Sequence, residues 1–126
     1  MSLTSDLFDA VSATVQANAT VHVAHAGIHF EPPTEGQWLE VIPFFNGNRD
    51  YFAVSVAQGF FRIAVNSRLG RGIMPALELA EEVATWFPMS SRIGEAVITK
   101  SAGIGGIIQD HDRIAVPVTF HWKQVR

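Results

Sequence analysis

The segment from Arg113 to Trp122 is the part of the sequence that most constrains the fold. Within it apolar residues alternate with smaller or polar ones, and the apolar set is Ile114, Val116, Val118, Phe120 and Trp122. Such alternation is typical of a strand that buries one face and exposes the other. Pro117 stands on the outward face, where its missing N–H favours a sheet edge or a bulge. The chain is therefore expected to contain a β-sheet with one covered face.

Two segments with helical spacing can cover that face. The first, residues 4–17, has apolar side chains at four-residue intervals, starting from Leu3 and continuing with Leu7, Val11 and Val15. The second runs from about residue 73 to residue 87 and ends before Pro88. Its apolar stripe comprises Ile73, Leu77, Ala80, Ala84 and Phe87, with Val83 beside it, and its water-facing side carries Glu78, Glu81 and Glu82. Both segments predict amphipathic helices that pack on an apolar surface.

The remaining segments predict further strands. Strand-like composition occurs at residues 38–45, 55–67, 94–100 and 103–109, whereas residues 18–33 show no clean period. The sequence NGNRD at residues 46–50 is expected to separate the first two strands, since Asn-Gly favours turns. The predicted order is α-β-β-α-β-β-β. It indicates one α+β domain over residues 1–126, with a mostly antiparallel sheet and the two main helices packed on one face.

The composition limits the classes of partner. Charged residues are 17% of the chain and hydrophobic residues 48%, against a usual charged share of about 25%. Either a large core lies under a Ser/Thr/Asn surface, or a partner covers part of the surface, because interface centres are depleted of charge. The net charge of −3 argues against nucleic acid and anionic lipid as partners. The absence of a signal sequence and of a long apolar run leads us to expect a soluble protein without membrane contact.

Three histidines, His22, His25 and His29, are the weak candidates for a metal site, because imidazoles at such spacings can converge on one ion. No carboxylate lies within the segment to orient a ligand histidine. We therefore expect neither a bound metal nor a cofactor. A small ligand-binding or hydrolytic domain using His25, His29 or His111 is the alternative from another functional class. The sequence Asp110-His111-Asp112 is, however, more typical of a turn.

The connection between the first two strands is a candidate contact element. It contains Arg49, Asp50, Tyr51 and Phe52, and it is longer than the two-residue turn that a hairpin needs. Exposed aromatic residues are enriched at interface centres. Alternatively, Phe52 folds back onto the sheet. Ile104, in the Gly-rich segment 103–109, is the other candidate interface residue.

Taken as a whole, the chain resembles the phage tail-terminator-like family. The resemblance covers nearly the full length and rests on the first helix and on four patterns: WLEVIP at 38–43, GFFRIAV at 59–65, ALELAEEVA at 76–84 and IIQDHDRIAVPVTF at 107–120. It implies a curved antiparallel sheet carrying helices, and a structural subunit without catalytic activity. It further implies a ring of six copies that sits on the finished tail tube and stops further addition.

The same resemblance implies the partners and the location. The expected partners are copies of the chain itself, the tail tube protein and the head–tail connector protein. The expected location is the virion tail, and the host bacterial cytoplasm before assembly. A head–tail connector or tail-completion subunit is the neighbouring alternative. A head-to-tail ring buries two different patches on every copy, and the low charge agrees with such burial.

Purified, untagged protein is expected to carry less than about one tenth of an equivalent of zinc, nickel or copper, because the histidine segment lacks carboxylate support. Elemental analysis measures this content directly. A content near one equivalent, lost on His25→Ala, would contradict the prediction.

Overall fold

The computed structural model describes residues 3–25, 30–32, 36–51, 54–70, 72–110 and 112–125, of which residues 3–6, 43–51, 54–57 and 125 are described by their backbone alone. The helices in this part of the chain are α1 (Leu3–Asn18) and α2 (Met74–Ala84). The strands are β1 (His22–His25), β2 (Gln37–Tyr51), β3 (Val54–Arg68), β4 (Arg92–Ile93), β5 (Ala96–Ile98), β6 (Gly103–Ile104), β7 (Ile108–Gln109) and β8 (Arg113–Val125). Neither described helix has the length and apolar character needed to cross a membrane.

All the described strands belong to one curled sheet in the order β1-β2-β3-β8-β5-β4, with β6 and β7 also paired to β8. Every described pairing is antiparallel except that of β1 with β2. β3 occupies one side of β8 from Arg113 to Val125. The short strands β5, β6 and β7 therefore share the other side of β8, one after another. The predicted α+β class and mostly antiparallel sheet are confirmed.

One face of the sheet and both helices form a single apolar core. The sheet contributes alternate residues of its strands, and the helices contribute one stripe each; the members from α1, α2, β3 and β8 include Leu7, Val11, Val15, Ala76, Leu79, Ala80, Val83, Phe61, Ile63, Val65, Val116, Val118, Phe120 and Trp122. At its centre, the ring centroids of Phe61 and Phe120 lie 5.0 Å apart in a stacked arrangement. Phe87 packs edge-on against both, at 5.2 and 5.1 Å. The prediction that both helices pack on one face is confirmed.

The sequence interpretation of residues 18–33 was wrong at one point, because β1 lies within it. This strand pairs in parallel with only Trp38–Val41 of β2, and His22 at its start is exposed. Four residues at a sheet edge are too few to establish a period of two in the sequence. The observed order therefore has one strand more before α2 than the prediction.

The expected break at residues 46–50 was also wrong. β2 runs through it to Tyr51, and its pairing with β3 shifts register between Phe45 and Asn48. Asn46 and Gly47 together face Gln58, which is the geometry of a β-bulge and not of a turn. The pairing of β2 with β3 extends as far as Tyr51 and Val54, and residues 52–53 lie outside the described part.

Two smaller predictions were corrected. The segment 103–109 forms the separate strands β6 and β7 instead of one strand, in keeping with the weak strand preference of glycine. Ile73, assigned to the buried stripe of the second helix, is 44% exposed because it precedes the first helical residue as the N-cap. Pro75 does lie in the first turn, as expected.

Pro117 lies inside the sheet, although a sheet edge or a bulge was expected. It pairs with Ala64 on β3, and its carbonyl accepts a hydrogen bond from the Gly105 N–H at 2.8 Å on the other side. The N–H and C=O of one strand residue point to the same side. The missing N–H of Pro117 therefore faces the gap between β6 and β7, where no ladder partner is lost.

Candidate functional site

The sheet face opposite the helices, here called the open face, carries no described helix. It is lined by the alternate residues that do not enter the core, among them Glu40, Ile42, Phe60, Arg62, Thr119, His121 and Lys123. At one end this face is closed: Trp38 is only 2% exposed, and the Arg68 guanidinium lies 4.9 Å from the centre of its ring. Arg68 in turn donates to Asp112 at 3.2 Å. The accessible part of the open face therefore lies towards the hairpin end of the sheet.

Aromatic and cationic groups lie together on this accessible part. The Arg62 guanidinium lies 5.6 Å from the centre of the Phe60 ring, and Nε of Arg62 donates to Oγ1 of Thr119 at 3.2 Å. The Phe60 and His121 rings are 5.8 Å apart. These contacts hold Arg62 flat along the sheet, so that its charge lies on the open face.

A recess with a volume of 460 Å³ adjoins this cluster, and we call it the lysine recess. It is lined by Gln58, Gly59, Thr99, Lys100, His121, Trp122 and Lys123. Burial of the His121 imidazole, and then the positive charge of Lys100, lower the pKa of His121 below its ordinary value. The recess therefore owes its positive charge at neutral pH to Lys100 and Lys123. Within the described residues neither lysine forms an ion pair.

The helices carry charge of the opposite sign. Neither α1 nor α2 contains a lysine or arginine. Glu78, Glu81 and Glu82 are exposed on α2, and their spacing of three and four residues places them on one side of the helix. These three residues form what we call the acidic face of α2. The two layers of the molecule thus differ in charge, although the net charge is only −3.

The edge formed by β6 and β7 is apolar and exposed. Residues 103–110 are all exposed, and Ile104, Ile107 and Ile108 have 42%, 40% and 60% of their surface accessible. We call this segment the isoleucine edge. It is held to β8 by hydrogen bonds from Gly105 N–H to the Pro117 carbonyl and from Asp110 N–H to the Arg113 carbonyl, both 2.8 Å. A side chain on Gly105 would place its Cβ 2.8 Å from Cγ of Pro117.

The predicted interaction residues are not brought together. Ile104 lies on the exposed edge, whereas Arg49, Asp50 and Tyr51 are ladder residues of β2, paired with Val56, Ser55 and Val54. Their assignment to a loop was therefore wrong, and Phe52 lies outside the described residues. Phe45 lies level with Gly59 and with Trp122 of the core, and Asn48–Tyr51 pair with Val54–Ala57 beyond that level. The end of the hairpin therefore extends past Trp122, the last core residue of β8.

Of the candidate histidines, the structure describes His22 and His25, while His29 and His111 lie outside it. Nε2 of Gln16 lies 2.9 Å from Nε2 of His25, and His25 borders a largely apolar cavity of 310 Å³ between α1 and β1. Within the described residues, no group of three or more potential ligand side chains is placed to hold a metal ion. The absence of bound metal remains a prediction. Asp110 and Asp112, the described residues of the predicted turn, lie between β7 and β8 and belong to neither strand.

Sequence reasoning missed Ile107, Ile108 and the two lysines. The signal for the isoleucines was the sequence GIGGII, whose glycines interrupt the alternation that a buried strand requires. The signal for the charged layers was the complete lack of lysine and arginine in both helical segments.

Comparison with known proteins identifies the class. The sequence profile of the phage tail terminator protein family matches residues 5–122, which is most of the chain. The chain belongs to this family of phage tail structural proteins. A solved structure superposes on it with a TM-score of 0.70, covering 99% of this chain and 97% of that one. At 21% identity this likeness shows the fold alone. No curated protein matches the chain.

Gly105→Ala is expected to loosen the isoleucine edge, because the new methyl group would meet Pro117 at 2.8 Å. Amide hydrogen exchange at residue 105 and at Asp110 should become faster, while the β3–β8 ladder keeps its protection. Gly106→Ala is the matched control, since a Cβ there meets nothing within 4 Å. Equal exchange rates in the two variants would show that the Gly105–Pro117 contact does not hold the edge.

Proposed function

We propose that this protein closes as a ring on the end of a phage tail tube and thereby ends the growth of the tube. The observation that most supports this proposal is the isoleucine edge, with three isoleucines at least 40% exposed in a chain of only 17% charged residues. Apolar patches of this kind on protein surfaces mark sites of association. A phage tail structural role supplies the assembly in which such an edge becomes covered.

A ring needs two different surfaces on every copy, because a head-to-tail contact joins unlike patches. The fold offers two layers that differ in charge and two unlike sheet edges. One is the isoleucine edge along β8. The other is the outer edge of β2, where β1 covers only Trp38–Val41 and no described strand pairs beyond Val41. The proposed ring contains six copies.

The long β2–β3 hairpin is proposed as the element that reaches the neighbouring tail protein. Its distal part contains Arg49, Asp50 and Tyr51 and extends beyond the level of Trp122, where β2 pairs with β3 through Tyr51 and Val54; Phe52 follows it in the sequence. Aromatic residues are enriched at the centres of protein interfaces, where they bury large rings. The tail tube protein is the proposed partner on one side of the ring, and the head–tail connector protein on the other.

This function places the protein in the virion tail, and in the host bacterial cytoplasm before assembly. A ring contact that forms on a template can be weak in isolation, because each contact must first offset the loss of rigid-body freedom. We therefore expect monomers at micromolar concentration and rings only in concentrated protein or on tube ends.

Replacing Ile107 and Ile108 together by serine is expected to leave the free energy of unfolding within about 1 kcal/mol, since both side chains are exposed. The variant should cap tubes poorly, so that complementation of a phage lacking the protein yields tails of irregular length in electron micrographs. Met89→Ser, which removes an apolar side chain with 57% exposure outside the edge, is the control. Tails of regular length from the isoleucine variant would show that the isoleucine edge is not needed for capping.

Tyr51→Ala combined with Phe52→Ala tests the hairpin. If these residues contact a neighbouring protein, unfolding free energy should change by less than about 1 kcal/mol while capping weakens. Phe120→Ala, which removes a fully buried ring, is the destabilised reference and should lower the free energy of unfolding by about 3–5 kcal/mol. A loss of stability close to that of the reference would instead place the two aromatics in the core. Unchanged stability together with tails of normal length would show that Tyr51 and Phe52 do not contact a neighbouring protein.

A further inference from the structure

We propose that the acidic face of α2 on one copy docks into the lysine recess on the open face of the next copy. This inference rests on the proposed ring and assigns the charged part of its head-to-tail contact. It names Glu78, Glu81 and Glu82 as one half of the contact. Lys100 and Lys123 form the other half.

The two halves cannot meet within one molecule. α2 packs on the core face of the sheet through Ala76, Leu79 and Val83, whereas the recess opens where β3, β5 and β8 meet on the far side. The sheet lies between them. Within the described residues neither set of charges has a partner of opposite sign. A contact between copies would bring the two sets together, and repetition of that contact is head-to-tail.

The chemistry of the recess suits carboxylates. Lys100 and Lys123 supply ammonium donors, and the side chains of Gln58 and Thr99 supply an amide and a hydroxyl donor. Burial and the charge of Lys100 lower the pKa of His121, so this imidazole does not add a third positive charge to the recess at neutral pH. Glutamates three and four residues apart have Cβ atoms about 5–6 Å from one another, so Glu78 can present its carboxylate together with that of Glu81 or Glu82 to a recess lined by two lysines.

A second copy fits this recess better than another acidic partner, because the complementary surface is part of the same chain. Every copy presents both halves, so each contact formed leaves one recess and one acidic face free for the next copy. Exposed ion pairs are individually weak and are screened by salt. We therefore assign to this contact the register and orientation of neighbouring copies, while apolar surfaces supply most of the adhesion.

The test uses two reversed variants of the full chain. Lys100→Glu with Lys123→Glu reverses the recess, and Glu78→Lys with Glu81→Lys reverses the helix. Alone, each variant would place like charges opposite one another and should need at least about tenfold higher concentration to self-associate than the unmodified protein. Sedimentation velocity over a concentration series, and the fraction of capped tube ends in electron micrographs, measure this. Circular dichroism checks that each variant is folded.

Mixing the two folded variants tests directly whether the recess and the acidic face contact each other. In an alternating ring every reversed recess meets a reversed helix and every original recess meets an original helix, so the equimolar mixture should recover assembly. Arg92→Glu, an exposed cation on β4 outside the recess, controls for the change in net charge and should assemble normally.

The remaining outcomes separate the two proposals. If the unmodified protein assembles and the reversed variants do so equally well, the charged contact is wrong while the ring stands. If the variants fail alone and also fail when mixed, the recess has an acidic partner other than this chain, and the inference is overturned. If the unmodified protein neither self-associates nor caps tubes, the proposed function itself fails.

Discussion

The antiparallel pairing of β3 with β8 is the interaction on which the rest of the structure depends. It joins thirteen-residue β8 to β3 along its whole length, and the alternation in β8 sends five apolar side chains to one face. That face must be covered, so both helices lie on it and the three phenylalanine rings meet between α2 and the two strands. The opposite face receives the polar members of the same alternation. One sequence pattern thus creates both the core and the open face.

The same strand also sets the character of the sheet edge. Pro117 cannot donate towards its outer side, and Gly105 approaches it so closely that a side chain would not fit. The chain crosses this side of β8 in short pieces and leaves isoleucines accessible. A protein that worked alone would gain solubility from charge at such an edge. Instead, three exposed carboxylates lie on α2 and two lysines line a recess of the open face, and the proposed contact between copies uses this separation.

Much of the fold could be predicted because its main elements are long and periodic. The β8 alternation, the Phe61–Val65 pattern and both helices followed directly from spacing. The two main misses have different physical causes: β1 is too short to show a period, and Asn46-Gly47 fits a bulge as well as a turn. The candidate surfaces were less predictable. Ile104 was identified, but the recess brings together Gln58, Lys100 and Lys123 from three strands or their ends, and only the pairing register reveals that.

The proposed function depends on the position of the protein in the tail. Electron cryomicroscopy of assembled tails, with this chain identified by fitting its structure into the density, measures that position directly. The account predicts a ring of copies at one end of the tube, with the open face of each copy against the helices of its neighbour. Density for the chain along the length of the tube, or tails of regular length that contain no copy at either end, would contradict it.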